Sequence, residues 1–463
     1  MIKRSLIDIA KMAKGSGLKR EHENIIIKGV STDSRTIEEG QLFIPLIGEK
    51  FNGHLFVEDA YKKGAKAALW NKNEPLPNID IPLIFVEDTL MALQDLARAY
   101  RAQLKVKVIG ITGSNGKTTT KDMIAAVLSA RLRTLKTEGN LNNEIGLPLM
   151  LTRLEADTEA AVLEMGMSGF GEIARLADLA KPTVGVITNI GESHLEMLGT
   201  REGIARAKSE LLLALPPEGA AVVNGDEPLL VPHIKNLPCP VITFGFGEAA
   251  AVRCRGVEGA GGRKSVLIEQ AGYPLLRLEP PLPGRHNVYN LLAAVAVGRL
   301  LQLTDDEIRE GLAVMQPTAM RQEIVALPGG VRVINDAYNA SPTSMAAALD
   351  LLQELAGGAG RIAVLGDMLE LGEMEEEGHR QVGRLAAASG LRALLVLGER
   401  AAWIARGAKE AGMAWENIYH PASHAEAARL LRRLAEQGDY VLLKGSRGMR
   451  MEKVLQHLQE EEE

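Results

Sequence analysis

Residues 110–123 read GITGSNGKTTTKDM and separate two different sequence patterns. The preceding stretch, KVKVIG at 105–110, is typical of a buried strand, and the following residues favour a helix. A glycine-rich turn between a strand and a helix presents backbone N–H groups and the positive end of the helix to a phosphate. The stretch therefore predicts a phosphate-binding loop at the carboxyl end of a strand.

The loop departs from the common nucleotide-binding pattern at one position. Gly113 and Gly116 permit the backbone conformations that a phosphate loop needs. Lys117 is expected to reach the β and γ phosphates of a nucleotide, and Thr118 to offer its hydroxyl group to magnesium. The strict GxxxxGK[ST] pattern requires glycine where this chain has Ile111. A plain glycine turn is the alternative, and the loop alone does not separate a kinase, a switch GTPase, a motor and a ligase.

Length and composition predict a folded chain of two to four domains, and we expect three in its 463 residues. A net charge of -6 argues against a nucleic-acid partner bound through bulk charge. Cys239 and Cys254 lack the spacing of a zinc site or a disulfide framework, which favours the reducing cytoplasm. No signal peptide is recognised, and the apolar stretch at 291–303 is too short to span a membrane, so we expect a buried helix there.

The pattern of strand-like and helix-like stretches changes twice along the chain. This predicts an α/β fold of three domains. Residues 1–104 suggest a small N-terminal α/β domain. Residues 105–316 alternate buried strands with helices, as in a P-loop ATPase-like domain with a mainly parallel sheet, and 251–283 suggest an antiparallel excursion. Residues 317–463 repeat the alternation and predict a Rossmann-like C-terminal domain, with a hinge near Pro317 and a frayed acidic end at 459–463.

Two candidate metal ligands follow strands of the central domain. Glu164 ends the run AAVLE, and an acid at the carboxyl end of a strand beside a phosphate loop is placed to hold Mg²⁺. A surface glutamate is the alternative. His194 lies in TNIGESHLE after the next strand, where a lone histidine is more often structural than a ligand.

Other candidates have ordinary explanations in the residues themselves. Lys208 lies in a helical stretch, where a solvated lysine is the usual interpretation. Asn287 and Asn290 open a helix and either bind a base edge or cap it. Ser341 is expected to cap a helix with Pro342 in its first position.

Seven motifs together resemble the Mur ligase family of ATP-dependent acid-amine ligases over nearly the whole chain. They are TGSNGKTTTK, NLNNEIGLP at 140–148, LEMG, ITNIGESHLE, ARAKSE, PGRHNVYNLLAAVA and DAYNASPTSM. Within the family, STDSRTIEEGQLFIPLIGEKFNGH, DAYNASPTSM and GDMLELGE resemble the branch that adds D-alanyl-D-alanine to a UDP-N-acetylmuramoyl-tripeptide.

The resemblance implies a site for ATP and two Mg²⁺ ions. It implies metal ligation by Thr118, Glu164, His194 and a carbamylated Lys208, although Ser209 stands where the family usually has glycine. It implies catalytic roles for Lys117, Lys208, His194 and Arg321. The implied nucleotide-binding residues are Gly113, Ser114, Asn115, Gly116, Lys117, Thr118, Thr119, Asn287, Asn290, Arg321 and Asp336.

The resemblance also implies which residues bind the two other substrates. Ser31, Asp33, Ser34 and Arg35, which the residues alone indicate only as a polar turn, are assigned to the UDP end. The remaining implied substrate-binding residues are Asn140, Asn142, Asn143, Tyr338, Asn339 and Ser341. Asn52 replaces the family's usual aspartate, so no charge-dependent role is expected there. A monomer is expected.

Two alternatives remain open at this point. A sister acid-amine ligase with the same core could add a single amino acid or a glutamate, although the DNPR-like motif of the sister that adds diaminopimelate is absent from the sequence. A nucleotide-dependent switch could carry the same loop without ligation chemistry. Such a switch would have little use for Glu164, His194 and Lys208 converging on metal ions.

Overall fold

The structure, a computed structural model, describes residues 1–259 and 264–460. Three main sheets follow one another along the chain, which confirms the predicted α/β class and the three-domain fold. The exact domain limits stay a prediction.

The N-terminal domain contains a four-stranded parallel sheet. Its strands are, in spatial order, Val30–Ser31, Leu42–Phe43, Ala67–Asn71 and Leu83–Val86. Two antiparallel pairs accompany it, Lys3–Ser5 with Ile26–Lys28 and Ile47–Gly48 with Phe51–Asn52. The α-helices are Leu6–Met12, Val57–Lys62 and Thr89–Arg101.

The N-terminal domain shares one hydrophobic core with a face of the central domain. This core extends from Ile2 and Leu6 to Leu147, Leu211 and Cys239. Backbone hydrogen bonds also join the two domains, since the Ile2 N–H donates to the carbonyl of Thr152 at 2.7 Å. The first two domains therefore form one packed unit.

The central sheet has nine strands, of which the first seven in spatial order are parallel. The order is Thr134–Lys136, Ala160–Glu164, Lys107–Thr112, Val184–Ile187, Ala220–Asn224, Val241–Gly245, Val252–Glu258, Ser265–Gln270 and Leu276–Leu278. The last two strands pair antiparallel, which confirms the predicted excursion; 260–263 lie outside the described residues. Lys107–Thr112, called the loop strand below, lies between the strands that end at Glu164 and Ile187. The ends of all three strands therefore meet at the phosphate loop.

Helices cover both faces of the central sheet. They are Lys117–Ser129, Gly146–Thr152, Glu172–Ala180, Leu195–Leu198, Arg201–Leu213, Val231–Ile234, Arg285–Leu300 and Asp305–Ala313. Lys117–Ser129, the loop helix, packs against Arg285–Leu300. The helix Arg285–Leu300 is buried on nearly all sides, as predicted for the apolar stretch at 291–303. In the part of the chain that the structure describes, no helix has the length and hydropathy for a membrane span.

The C-terminal domain has a six-stranded sheet with a hydrophobic core on each face. Its order is Glu323–Ala326, Arg332–Asp336, Tyr440–Lys444, Arg361–Gly366, Ala393–Leu397 and Ile418–Tyr419. Its α-helices are Pro342–Ala356, Glu375–Ala388, Ala402–Glu410, His424–Leu434 and Glu452–Glu460. The sequence did not predict the antiparallel edge strand Glu323–Ala326. The expectation of a frayed end is wrong for Gln459 and Glu460, which continue the last helix, and 461–463 lie outside the described residues.

An ion pair between a buried arginine and a partly exposed aspartate stabilises the helix Arg285–Leu300. The Arg299 side chain is fully buried, and it donates to both carboxylate oxygens of Asp305 at 3.0 and 3.2 Å and to Gln270 at 3.1 Å. Removing one member of a buried pair leaves an uncompensated charge in the interior.

We expect Asp305→Ala to lower the free energy of unfolding by about 3 kcal/mol, because it leaves the Arg299 charge buried and unpaired. Asp306→Ala is the matched control: it changes the next acid in the same helical turn, whose side chain is 86% exposed and pairs with Arg309. The control should cost less than about 1 kcal/mol. Urea unfolding measures both; equal losses would contradict the role assigned to Arg299.

Candidate active site

The phosphate loop packs so closely that two of its positions require glycine. Gly113 has φ +150°, and a Cβ atom there would lie 1.8 Å from the Thr188 hydroxyl oxygen. Gly116 has φ +80°, and its Cβ would lie 2.7 Å from Oδ1 of Asn290. Both glycines therefore serve a close approach as well as a backbone conformation.

The segment after the neighbouring strand Val184–Ile187 braces this loop. The Thr188 hydroxyl donates to the carbonyl of Asn115 at 2.6 Å, and Oδ1 of Asn189 accepts from the Asn115 N–H at 2.8 Å. The Gly191 N–H donates to the hydroxyl oxygen of Ser114 at 2.8 Å. Thr188 and Asn189 were not among the predicted site residues; their position directly after a strand of the parallel sheet was the available signal.

Lys117 begins the loop helix and bends back over the loop. Its ammonium group donates to the carbonyls of Gly113 at 2.7 Å and Ser114 at 3.3 Å. Burial lowers the pKa of Lys117; the nearby Glu164 opposes this shift and Arg321 adds to it. The lysine lies over the phosphate loop, and its predicted contact with nucleotide phosphates stays a prediction.

Thr118 and Glu164 meet at the ends of adjacent strands. The Thr118 hydroxyl donates to Oε2 of Glu164 at 2.9 Å, and the amide nitrogen of Asn142 donates to Oε1 at 2.9 Å. The backbone N–H of Glu164 is held by the Thr137 hydroxyl at 2.9 Å. Only 3% of Glu164 is exposed, so its interpretation as a surface glutamate is wrong.

Arg321 reaches this pair from the start of the C-terminal domain. Its guanidinium group donates to the Thr118 hydroxyl oxygen at 3.3 Å and lies 4.0 Å from the centre of the Tyr338 ring. Its Nε is buried without a hydrogen-bond partner among the described residues. The structure thus brings Arg321, Thr118 and Glu164 together.

His194 lies at the same rim but contacts a different acid. It has φ +66°, and its Nδ1 lies 3.1 Å from a carboxylate oxygen of Glu370 in the C-terminal domain. The interaction with His194 lowers the pKa of Glu370. No contact of His194 with Glu164 is found in 1–259 and 264–460. Glu370 lies in the motif GDMLELGE, which contributed to the resemblance, but it was not a predicted site residue.

Lys208 is buried, contrary to its ordinary interpretation as a solvated lysine. Only 2% of the residue is exposed, and no carboxylate in the described parts of the chain pairs with its ammonium group. Burial lowers the pKa of Lys208 well below its usual value, and repulsion from Lys117 adds to the shift. An unpaired buried lysine with such a pKa is typical of functional sites.

Asn287 and Asn290 are both buried and belong to one hydrogen-bond chain. The Thr120 hydroxyl donates to Asn290, and the Asn290 amide donates to Oδ1 of Asn287, each at 3.0 Å. The Asn287 amide donates to the Pro283 carbonyl at 2.6 Å and to Gln322 at 2.7 Å. Both amide hydrogens of Asn287 are therefore used within the protein, and a contact with a base would fall to its oxygen or require rearrangement.

The C-terminal residues of the predicted site surround a buried ion pair. Lys444 pairs with Asp336 and donates to the carbonyl of Asn339 at 3.0 Å. Ser341 caps the helix Pro342–Ala356, as predicted, and its hydroxyl donates to Oδ1 of Asn115 at 3.4 Å. Lys444 was not a candidate, because strand Tyr440–Lys444 comes beside Arg332–Asp336 only through the spatial strand order.

The polar turn of the N-terminal domain is held by local contacts. The Ser31 hydroxyl donates to the carbonyl of Asp33 at 3.1 Å, and Arg35 pairs with Asp33 at 2.7 Å. This contact lowers the pKa of the Asp33 carboxyl group. Ser34 is half-buried, and Arg35 is exposed. No contact of this turn with the phosphate loop is found in the described residues.

The asparagines of the NLNNEIGLP stretch separate into different positions. Asn142 contacts Glu164, whereas the exposed Asn143 accepts from the Gly146 N–H at 2.9 Å at the start of the helix Gly146–Thr152. Asn140 is exposed. Asn52 accepts from the His54 N–H at 3.0 Å and lies 2.8 Å from Nδ1 of that ring, a structural contact that needs no charge.

A cavity of about 320 Å³ lies between the central and C-terminal domains. From the central domain it is lined by phosphate-loop residues, Asn287 and Asn290, and from the C-terminal domain by residues that include Asp336, Asn339 and Lys444. Its predicted members are Ser114, Asn115, Gly116, Lys117, Thr119, Asn287, Asn290, Arg321, Asp336 and Asn339. One wall adds Tyr289, whose hydroxyl donates to Asp226 at 2.9 Å; burial raises the pKa of Tyr289 to about 12.

The oxygen atoms beside the cavity fit a magnesium ion. Mg²⁺ prefers oxygen ligands and is commonly held by one or two carboxylates together with substrate phosphates. The buried Glu164 carboxylate and the Thr118 hydroxyl supply such oxygens side by side. No cluster of three or more His, Cys, Asp or Glu side chains occurs in the described residues, so such a site would depend on nucleotide and water oxygens.

Three family descriptions together match most of the chain. They are the Mur ligase family, catalytic domain at 26–101, the Mur ligase middle domain at 111–298, and the Mur ligase, glutamate ligase domain at 320–447. The chain belongs to the Mur ligase family. The resemblance identified from the sequence motifs is thereby confirmed, and with it a fold of ATP-dependent ligases.

Individual Mur ligases are similar over nearly the full chain. The UDP-N-acetylmuramoyl-tripeptide--D-alanyl-D-alanine ligase of Bacillus subtilis (strain 168) is 43% identical over 462 residues, 99% of each chain. The enzyme of the same name from Escherichia coli (strain K12) is 36% identical, covering 94% of this chain and 95% of its own.

Solved Mur ligase structures have the same fold. MurF from Acinetobacter baumannii superposes with a TM-score of 0.87 at 31% identity, covering 99% of both chains. MurF from Thermotoga maritima in complex with ADP gives 0.81 at 30% identity, covering 94% of this chain and 97% of its own.

We expect Gly113→Ala to weaken binding of a nonhydrolysable ATP analogue about tenfold or more, because the added Cβ collides with Thr188. Gly358→Ala is the control, since a Cβ there meets no atom within 4 Å and the backbone is not left-handed. Isothermal titration calorimetry measures both; unchanged affinity of the Gly113 variant would contradict the close packing.

Proposed function

We propose that this chain is the ATP-dependent ligase that joins D-alanyl-D-alanine to a UDP-N-acetylmuramoyl-tripeptide, a step of peptidoglycan precursor synthesis. One observation carries the proposal most: the cavity between the two domains is lined by the phosphate loop on one side and by Arg321 and Asn339 on the other. The names of the full-length relatives support the choice of substrates.

The chemistry explains why such a site needs a phosphate loop. An ionised carboxylate is a poor acyl donor, so the γ-phosphoryl group of ATP is transferred to it and an acyl phosphate forms. The amine of the dipeptide then attacks the acyl carbon, and phosphate leaves. Both steps increase negative charge on oxygen, which positive and N–H groups stabilise.

The residues around the loop suit these charges. Loop N–H groups and Lys117 would bind the β and γ phosphates. Arg321 would neutralise the phosphoryl group in transfer, as an arginine finger does. Asn115, Asn287, Asn290 and Asp336 would hold the rest of the nucleotide. The α-amine of the dipeptide has a free pKa of about 8. A fraction of it is therefore unprotonated near pH 7, so its attack needs no strong base.

Thr118 and Glu164 would hold magnesium, with His194 and Lys208 contributing to a second ion. A bound Mg²⁺ supplies charge compensation for the phosphates. Because His194 contacts Glu370, its part in this requires a change of partner. The UDP end of the substrate would be bound by Ser31, Asp33, Ser34 and Arg35. The acyl part would be bound by Asn140, Asn142 and Asn143, and the dipeptide by Tyr338, Asn339 and Ser341.

We further propose that Lys208 is carbamylated. A neutral amine can attack CO₂ at carbon, forming the N–C bond and releasing one proton, so that a negatively charged carbamate replaces the cation. The lowered pKa of Lys208 favours the neutral amine that this step requires. Conversion to an anion would also remove the repulsion from Lys117.

With ¹³C-bicarbonate at neutral pH, we expect the protein to show one carbamate carbonyl signal by NMR that is missing from Lys208→Met. Lys121 is an internal control, because it is equally buried but donates to the Thr137 carbonyl at 2.9 Å and lies 3.3 Å from Asp122. An amino group held by these contacts should not react. A signal that persists in Lys208→Met would overturn the assignment.

ADP release tests the proposed substrates. We expect release only when UDP-N-acetylmuramoyl-tripeptide and D-alanyl-D-alanine are both present, with either lysine or diaminopimelate as the third residue assayed separately. Lys117→Met should abolish release, whereas Lys107→Met, at the exposed start of the loop strand, should not. Release with single amino acids but not the dipeptide would favour a sister ligase.

A further inference from the structure

The linker at 314–322, between the helix Asp305–Ala313 and the strand Glu323–Ala326, contacts the loop helix at two points. Thr318 donates its backbone N–H at 3.1 Å and its hydroxyl at 2.7 Å to Oδ2 of Asp122. Three residues later, Arg321 donates to the Thr118 hydroxyl oxygen. Thr118 and Asp122 are four residues apart in one helix and therefore lie on the same face. The linker thus follows a single turn of the loop helix.

Asp122 is a fixed attachment point for the linker. Its side chain is 1% exposed, and its other oxygen, Oδ1, accepts from Lys136 at 2.6 Å and lies 3.3 Å from the ammonium group of Lys121. Two lysines compensate its charge, so the carboxylate is satisfied in the interior and can accept strong hydrogen bonds. The contact with Thr318 therefore fixes the linker to the central domain.

Arg321 has few restraints of its own. Its side chain makes one hydrogen bond of 3.3 Å and stacks on Tyr338, and its Nε is buried without an acceptor in the described residues. No carboxylate pairs with it in 1–259 and 264–460. The position of the guanidinium group therefore depends on the path of the backbone that carries it.

That backbone takes an uncommon path on both sides of Arg321. Met320 has φ +58° and Gln322 has φ +54°, a region that residues other than glycine seldom occupy. The Met320 N–H donates to Glu323 at 3.2 Å, and the Gln322 side chain accepts from Asn287 at 2.7 Å. Such conformations persist where the surroundings hold them.

We propose that Asp122 and Thr318 are positioning residues that set the path of the linker so that Arg321 reaches Thr118 and the phosphoryl group in transfer. The inference rests on the proposed function, because it assigns Arg321 to the phosphoryl-transfer step. Asp122 and Thr318 act on that step through Arg321 alone.

A double-mutant cycle tests this coupling. Thr318→Val keeps the backbone hydrogen bond and the shape of the side chain but removes the 2.7 Å contact. We expect kcat to fall about tenfold, with the KM for ATP changed less than about twofold, because only the transition-state contact is displaced. Thr134→Val is the matched control: its hydroxyl donates to the Leu132 carbonyl at 3.0 Å and makes no hydrogen bond to the linker within the described residues.

In the Arg321→Ala background, Thr318→Val should change kcat by less than about twofold, since the group that it positions is absent. Hydrogen exchange of the linker amides should be faster in Thr318→Val and unchanged in Thr134→Val, independently of activity. An equal loss of kcat with and without Arg321 would overturn the inference, as would a loss matched by Thr134→Val.

The two proposals fail in different ways. If the proposed substrates are wrong, the wild-type protein releases no ADP with them. The double-mutant cycle is then measured with the acyl substrate and amine that do support ADP release. If the positioning role is wrong, an active enzyme shows no coupling between Thr318 and Arg321. Asp122→Asn is a second test of the positioning role. It weakens both hydrogen bonds from Thr318 while keeping the size of the side chain. An unchanged kcat in this variant would also overturn the inference.

Discussion

The hydroxyl group of Thr118 joins the two domains between which the site lies. It donates to Glu164 at the end of one central strand and accepts from Arg321 of the C-terminal domain. A hydroxyl group can do both at once, whereas an apolar side chain of the same size could do neither. The position of Thr118 depends in turn on Gly116, whose left-handed backbone starts the loop helix against Asn290.

The site concentrates positive charge in a chain that is negative as a whole. Lys117 and Arg321 lie near the buried carboxylate of Glu164, and Lys208 lies near Lys117, while the chain carries a net charge of -6. Burial is the main cause that lowers the pKa of each lysine; repulsion from Arg321 adds to the shift of Lys117, and repulsion from Lys117 adds to the shift of Lys208. Such an arrangement is costly without an anion and favourable with a triphosphate. Local charge therefore matters more for binding than the overall balance.

The sequence predicted the features that follow from local pattern and from the logic of parallel sheets. Because strand ends meet at one edge, Glu164 was expected near the phosphate loop, and it lies 2.9 Å from Thr118. The Ser341 cap was predicted from its residue type and the following proline. The excursion at 251–283 was recognised because its pattern no longer alternates with helices.

Other features required the spatial order of the elements. The bracing by Thr188 depends on Val184–Ile187 lying beside the loop strand, and Lys444 joins Asp336 because the last strand enters the middle of its sheet. Lys208 was misjudged from the residues alone, since its helix lies between the sheet and its neighbours and is buried on more than one side. Glu370 reaches His194 across a domain boundary, which no local pattern encodes.

The core that the first two domains share has a consequence for synthesis on the ribosome. Its residues extend from Ile2 to Cys239, so roughly half of the 463 residues must have emerged before that core can close. The two cores of the C-terminal domain extend from Val333 to Leu458, so they can close after a shorter stretch of chain has emerged. The nascent chain therefore exposes apolar surface for longest in its first half, the stage at which chaperones have most to protect.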